Sequence, residues 1–177
     1  MHEISRSLIS AAIASVILFW PNSATSQTAG YGCTMQRASG GTQQVLRCQR
    51  GVTIIVENGA RYSLLDRDRD SIADGVRLRR KALLLDVSRT LSGSGFVVVT
   101  PQAIAAVRGT KWAVDAQARR TSVFVVNGRV DVGRPGTGAG VSLGPGQGVD
   151  VEMDAAPLVV KRWPQPRVSA LLARFGQ

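Results

Sequence analysis

Short runs of apolar and β-branched residues recur along this chain about every eight to twelve residues, and turn-forming residues separate them. The runs include TIIV, FVVV, IAAV and TSVFVV. No helix of ordinary length fits the middle of the chain, which argues against alternating strands and helices. The pattern therefore predicts an all-β fold, a sandwich or roll of short, mostly antiparallel strands.

Two Asn-Gly pairs, Asn58-Gly59 and Asn127-Gly128, follow such runs. Asn-Gly is favoured in the two-residue turns of β-hairpins, so we expect a hairpin at the first pair and a second tight turn at the other. The glycine-rich stretch at 133–148 resumes strand character instead of opening a helix. We interpret it as two tight turns around one short strand, because a phosphate-binding loop would need the helix.

The first 26 residues are typical of an export signal. Arg6 supplies the positive start, an apolar stretch runs from Leu8 to Trp20, and Pro21 interrupts it. This stretch is short for a membrane span. We expect cleavage after Ser26 and a periplasmic protein without a transmembrane segment, the alternative being a membrane-anchored form with the signal uncleaved.

Export would also remove His2, the only histidine of the chain. The remainder then lacks the imidazole that a histidine general base, a common serine or cysteine triad, or a histidine-bound metal requires. We therefore expect no catalytic residues and a protein that is not an enzyme. The net charge stays at +10, because one basic and one acidic residue leave together.

The predicted organisation has four parts: the signal at 1–26, an N-terminal segment at 27–57, a β domain at 58–155 and a tail at 156–177. The N-terminal segment contains Cys33 and Cys48, the only cysteines of the chain. In an oxidising compartment we expect them to form a disulfide that stabilises the fold by roughly 3 kcal/mol.

The tail changes from strand to helical periodicity. Its apolar residues at helical spacing are Val168, Leu171, Leu172 and Phe175. We predict a short amphipathic helix that docks on the β core, with Trp163 as its anchor. A helix for a membrane surface or a partner is the alternative.

One region of the chain carries a family pattern. FVVVTPQAIAAVRGTKWAVD, TSVFVVNGRVDV and VSLGPGQGVDV follow one another between Phe96 and Val151. The apolar strand ending in Thr-Pro, the Val-Arg-Gly-Thr, the two strand segments and the late L-x-x-G-Q turn together resemble the FecR domain. The match is strong for about a third of the chain and weaker back to Asn58-Gly59.

This resemblance implies a bacterial envelope protein. FecR-domain proteins are best known as sensor-regulators that relay the occupancy of an outer-membrane transporter to a cytoplasmic sigma factor. Only about seven residues precede the apolar stretch, too few for a sigma-binding module, so we expect anti-sigma activity not to carry over. The resemblance implies a non-catalytic sensor or scaffold module. We expect its partner to be an envelope protein or an anionic lipid or cell-wall component.

The Arg-Gly-Thr triplet at Arg108, Gly109 and Thr110 interrupts two strand-like runs. We predict a structural role: Gly109 permits a backbone conformation or close approach that a side chain would forbid, and Thr110 adds a hydroxyl bond. Apolar neighbours predict that Arg108 is partly buried and therefore paired. Three aspartates are candidate partners: Asp86, Asp115 and Asp131. An exposed site for an anion or a peptide is the alternative.

The segment DRDRDSIADG, residues 66–75, has the spacing of a calcium loop. The candidate ligands are Asp66, Asp68, Asp70, the carbonyl of Ile72, and Asp74. The spacing resembles the aspartate loops of thrombospondin type 3 repeats and dockerins. However, Ser71 stands where glycine is usual, and Arg77 where an EF-hand has glutamate.

Three interpretations of this segment stay open. It could be a solvated turn with alternating charges, or the calcium site of a structural module. In the third, Asp70 and Asp74 form the acid-base pair of an enzyme that acts on a cell-wall glycan.

Basic residues cluster in three places, and the isoelectric point is 11.1. The clusters are Arg77, Arg79, Arg80 and Lys81; Arg119 and Arg120; and Lys161 and Arg162. Such charge attracts anionic lipids, cell-wall polymers or acidic partners, whereas nucleic acid is excluded by the expected compartment. Diffuse solubilising charge and a dedicated patch both stay open as interpretations. Alternation places Arg77 and Arg79 on one face of a strand, which is an argument for a local patch.

Overall fold

The computed structural model describes residues 27–37, 43–89 and 95–177, so the expected signal lies outside the described residues. Within them the chain is mostly strand, with one 3₁₀ turn and one short α-helix. The strands are β1 Gln27–Gly30, β2 Cys33–Arg37, β3 Gln44–Cys48, β4 Val52–Val56, β5 Arg61–Leu65, β6 Gly75–Val87, β7 Phe96–Val99, β8 Ile104–Val107, β9 Thr110–Ala116, β10 Arg120–Asn127, β11 Val130–Gly133, β12 Gly140–Leu143, β13 Gln147–Glu152 and β14 Lys161–Arg162. The 3₁₀ turn is Gln49–Gly51, and α1 is Gln165–Ala173.

The strands form two sheets that share β6. Sheet 1 has the order β1-β2-β3-β4-β6-β9-β10-β13-β14, and sheet 2 has the order β5-β6-β7-β8-β11-β12. The described pairs are antiparallel except for β6 with β7, which are parallel. The predicted all-β fold of mostly antiparallel strands is confirmed.

Strand β6 passes from one sheet to the other in the middle of its length. Residues 75–80 pair with β5 in sheet 2, whereas residues 83–87 pair with β4 in sheet 1. Lys81 lies between the two halves with a left-handed φ of 66°. We call this change of sheet at Lys81 the corner of β6. It keeps apolar side chains of both halves, such as Leu78 and Leu83, in the space between the sheets.

The main core fills the space between the two sheets. Its largest side chains are Trp112 of sheet 1 and Phe96 of sheet 2, both fully buried. Branched aliphatic residues from the inward faces of both sheets complete it. Burial of apolar surface between two sheets is the main stabilising contribution in such a fold.

The prediction of a hairpin at Asn58-Gly59 is wrong, although the turn itself forms. Gly59 has a φ of +74°, as an Asn-Gly turn requires, but β4 and β5 belong to different sheets. Both edges of β4 are already hydrogen-bonded, to β3 and to β6, so β5 cannot pair with it.

The second Asn-Gly turn behaves in the same way. Gly128 has a φ of +91°, and the chain passes from β10 in sheet 1 to β11 in sheet 2. Strands β9 and β13 occupy the two edges of β10, which leaves β11 to pair with β8 and β12. Each Asn-Gly turn therefore connects the sheets instead of closing a hairpin.

Three further predictions are confirmed. Cys33 and Cys48 form a disulfide between directly opposed residues of β2 and β3. The glycine-rich stretch contains one short strand, β12, between turns. The C-terminal helix α1 docks on the outer face of sheet 1, and Trp163 packs there. In the described part of the chain, no helix has the length and apolar character to cross a membrane.

Candidate functional site

Gly109 occupies a position that other residues fit poorly. Its φ is +60°, in the left-handed region. A Cβ built on it would lie 2.2 Å from Cγ of Arg89 and 3.0 Å from Cα of the same residue. These distances agree with the prediction that Gly109 allows a close approach of two backbone segments.

Thr110 links this turn to the next inter-sheet connection. Its side chain is buried, and its Oγ1 lies 2.9 Å from the carbonyl oxygen of Arg129 and 3.0 Å from that of Arg108. The N–H of Arg129 donates to the same Oγ1 at 3.2 Å. The hydroxyl thus ties the β8–β9 turn to the β10–β11 turn, which is the structural bond predicted for it.

The prediction that Arg108 is partly buried is wrong, because its side chain is exposed. The apolar neighbours that suggested burial, Ala105 and Val107, face the core from β8, and Arg108 follows them at the turn. Asp115, one of the expected partners, is bound by Arg174 of the C-terminal helix. The triplet is therefore structural through Gly109 and Thr110.

The aspartate loop at 66–74 brings three of its predicted calcium ligands together. Carboxylate oxygens of Asp66, Asp68 and Asp70 all lie within 4.8 Å of one another. Asp66 already accepts the backbone N–H groups of Asp70 and Ser71, at 3.1 and 3.0 Å. Asp70 accepts the N–H of Ile72 at 2.9 Å. The loop is thus held by its own hydrogen bonds.

Arginines bind the two aspartates that we considered as a catalytic pair. Arg50 forms an ion pair with Asp70, and Nε of Arg67 lies 3.1 Å from Oδ2 of Asp74. Desolvation raises the pKa of Asp70, but the hydrogen bonds from Ile72 and Arg50 outweigh it and leave the pKa below its ordinary value. A general acid needs the opposite shift.

Four exposed arginines lie together where β5 pairs with β6. We call Arg61, Arg77, Arg79 and Arg80 the arginine array. Arg61 lies directly opposite Arg80, and a β-bulge inserts Arg79 beside them. The sequence grouped Lys81 with them, but Nζ of Lys81 lies 3.7 Å from Oε1 of Glu57. The array extends the basic cluster that the sequence indicated, with Arg61 as a new member.

The array adjoins apolar side chains on the outer face of sheet 2. Arg77 and Arg79 alternate with Val76 and Leu78, whose side chains are fully buried between the sheets. In the row across the sheet, Arg77 is opposite Val99, and Val99 is opposite Ile104. Ile104 is 37% exposed. The outer face of sheet 2 therefore presents guanidinium groups next to apolar surface.

Comparison with known proteins identifies the family. The FecR family, described as FecR protein, matches residues 37–131, more than half of the chain. The chain belongs to the FecR family. The matched residues include the Arg-Gly-Thr triplet, the aspartate loop and the arginine array.

Solved structures share the fold of this FecR-family chain. Two crystal structures of a candidate anti-sigma factor from Parabacteroides distasonis match it, at 22% and 21% identity and TM-scores of 0.61 and 0.59. Each match covers 75% of this chain and 61% of the other. At these identities the likeness establishes the fold. No curated protein matches the chain in sequence.

The C-terminal helix lies outside the residues that match the FecR family and is attached by two arginines. Arg167 stands 3.5 Å over the ring of Trp163 and donates to Oδ2 of Asp150 at 2.9 Å. Arg174 donates to both carboxylate oxygens of Asp115, at 2.8 and 3.1 Å, and also binds Glu57. The helix therefore covers the part of the outer face of sheet 1 that β6, β9 and β10 form.

The close contact beneath this helix depends on a glycine. Trp163 stacks on Phe124 with ring centroids 5.1 Å apart. A Cβ on Gly148 would lie 2.4 Å from Cε2 of the Trp163 indole, so the indole can lie directly on the sheet only at a glycine.

The carboxylates that hold the helix are kept ionised. Desolvation is the largest single effect and raises the pKa of both Asp115 and Asp150. The hydrogen bonds from Arg174 and Arg167, a second hydrogen bond to each aspartate and the nearby arginine charges together outweigh it, and they leave each pKa below its ordinary value. Hydrogen bonding to Asp115 raises the pKa of Arg174 in turn, although burial lowers it.

The sequence did not predict the ion pairs through which Arg167 and Arg174 attach the helix. Helical periodicity identifies the apolar side of α1 but not the carboxylates that its arginines bind. The sequence did not indicate Arg61 either. Arg61 could be added to the array only once the register between β5 and β6 was known.

Proposed function

We propose that this chain is a non-catalytic FecR-family module of the bacterial periplasm that acts as a sensor or scaffold by binding another protein or an envelope component. The family match across residues 37–131 is the observation that carries this proposal, because it covers most of both sheets. The family points to a regulatory role instead of an enzymatic one.

The two outer faces of the sandwich differ, and the difference supports a binding role for sheet 2. The central part of the outer face of sheet 1 is occupied by the chain's own helix and Trp163. The outer face of sheet 2 exposes Arg77, Arg79 and Ile104. A large basic and apolar surface of this kind is a candidate contact surface.

The sequence motifs do not offer a better binding site. Gly109 and Thr110 serve the connection between strands. In the 66–74 loop, Asp66 accepts backbone N–H groups, and Asp70 and Asp74 bind arginines. Asp70 and Asp74, each in an ion pair, are poorly suited to acid-base catalysis. We therefore place the binding function on sheet 2.

Fractionation followed by cross-linked capture from the native envelope tests the proposal. We expect the tagged protein in the periplasmic or membrane fraction, and we expect it to retain the same envelope component in repeated captures. Retention in the cytoplasm, or turnover of a cell-wall glycan by the pure protein, would contradict the proposal.

A further inference from the structure

The four arginines of the array have no ion-pair partner among the described residues. Six described arginines form ion pairs with carboxylates: Arg50, Arg67, Arg120, Arg134, Arg167 and Arg174. Arg61, Arg77, Arg79 and Arg80 form no ion pair or hydrogen bond with any described residue, and all four are exposed. The fold thus leaves four adjacent positive charges uncompensated.

The backbone holds these charges close together. Arg61 and Arg80 are directly opposed across two strands, an arrangement in which like charges repel. The bulge adds Arg79 at the same point, and Arg77 lies one pleat away, roughly 7 Å along the strand. An anionic surface laid against this corner would relieve the repulsion.

No described acidic group forms an ion pair with the array. Asp70 and Asp74, in the loop that joins β5 to β6, are bound to Arg50 and Arg67. Along the rows of sheet 2, the outward-facing Asp131 is three strands from β6, about 14 Å away. That distance exceeds the Debye length at physiological salt, which is about 8 Å.

We propose that the arginine array and the adjoining apolar residues Val99 and Ile104 dock this module on an anionic phospholipid surface. A membrane surface requires basic side chains beside apolar ones on an open face, and it requires no pocket. Tight protein partners instead bury aromatic anchors in pockets. Four grooves of the described surface, of about 180 to 460 Å³, are lined by residues other than the four arginines, and Ile104 lies at the edge of the largest of these four.

This inference deepens the proposed function and rests on it for the compartment, since anionic phospholipid must be within reach of the exported protein. The lipid-binding proposal and the proposed function can fail separately. Vesicle binding by the purified chain requires no envelope partner, and capture of an envelope protein requires no lipid binding.

Vesicle co-sedimentation of the full chain tests the proposal. Vesicles of equimolar phosphatidylglycerol and phosphatidylcholine are compared with vesicles of phosphatidylcholine alone. If the apolar stretch at 8–20 is retained, it binds both kinds of vesicle, so the difference between them reports the charge-dependent contact. Far-ultraviolet circular dichroism and thermal unfolding confirm that each variant is folded.

Two variants with the same net charge separate the array from the overall basicity of the chain. The array variant changes all four of its arginines to glutamine: R61Q, R77Q, R79Q and R80Q. The matched control changes four exposed basic residues elsewhere: R119Q, R129Q, K161Q and R162Q.

We expect the wild type to prefer anionic vesicles and to lose that preference at high salt. Each arginine at an anionic surface contributes roughly fivefold in affinity, so loss of all four should weaken binding by about a hundredfold or more, and the control should lose much less. Equal losses in the two variants would overturn the proposal. So would binding that ignores lipid charge, or binding of polyglutamate but not of anionic vesicles, which would indicate an acidic protein partner.

Discussion

Replacing Gly109 with alanine should destabilise the protein through two separable effects. The first is backbone strain, because a non-glycine residue at φ +60° costs about 1–2 kcal/mol. The second is overlap, because the new Cβ would lie 2.2 Å from Cγ and 3.0 Å from Cα of Arg89. Overpacking of this kind costs typically about 1–3 kcal/mol. The two effects together should lower the free energy of unfolding by about 2–5 kcal/mol.

Gly136→Ala provides the matched control. Gly136 has a similar left-handed φ of +74°, but nothing lies within 4 Å of the Cβ that alanine would add. This variant therefore carries the strain without the overlap. The difference between the two variants isolates the close approach at Gly109.

Equilibrium unfolding in denaturant, followed by circular dichroism and tryptophan fluorescence, measures both variants. We expect Gly109→Ala to be less stable than Gly136→Ala by about 1–3 kcal/mol, which corresponds to several degrees in Tm. Equal destabilisation of the two variants would refute the argument that Gly109 is required by its contact with Arg89.

Two further predictions concern acidic side chains. The pKa values of Asp115 and Asp150 are lowered in the folded protein, so their contribution to stability is fully present above the unfolded pKa of about 4 and is lost as the pH falls through the folded values. Unfolding measured between about pH 5 and 2 should show this loss, Asp115→Asn should reduce it, and a flat profile would contradict it. For the 66–74 loop, we expect neither a chelator nor added calcium to change the Tm, since hydrogen bonds and an ion pair already occupy the carboxylates of Asp66 and Asp70. A calcium-dependent rise in Tm that Asp68→Asn with Asp70→Asn abolishes would instead establish a calcium site.

Local patterns predicted much of this fold. Alternating apolar residues predicted the strands, helical spacing predicted α1, and the requirement for a small residue at Gly109 followed from its place between two strands. Each of these properties depends on a few neighbouring residues. The sequence alone therefore sufficed for them.

Strand partners could not be predicted in the same way. The turn at Asn58-Gly59 forms as expected, but whether it closes a hairpin depends on which edges of β4 are already paired, and β6 comes later in the chain. The prediction that Arg108 is buried was wrong for a related reason. Its apolar neighbours face the core, but a residue at a turn need not share their environment.

The composition of the arginine array depended on the same long-range information. Arg77, Arg79 and Arg80 are close in sequence, whereas Arg61 joins them only through the register of β5 on β6. The sequence grouped Lys81 with the array, but the corner in β6 places it beside Glu57. The sequence could therefore indicate a basic patch without defining its members.

Site-specific photo-cross-linking in cells that produce the protein tests most directly whether the outer face of sheet 2 is the binding surface. A photoreactive residue in place of Ser63, which is exposed and opposite Arg77, is compared with one in place of Ala118, in the turn between β9 and β10. We predict cross-links to an envelope component from position 63 and far fewer from position 118. Equal cross-linking from the two positions, or cross-linking from position 118 alone, would contradict the assignment of function to sheet 2.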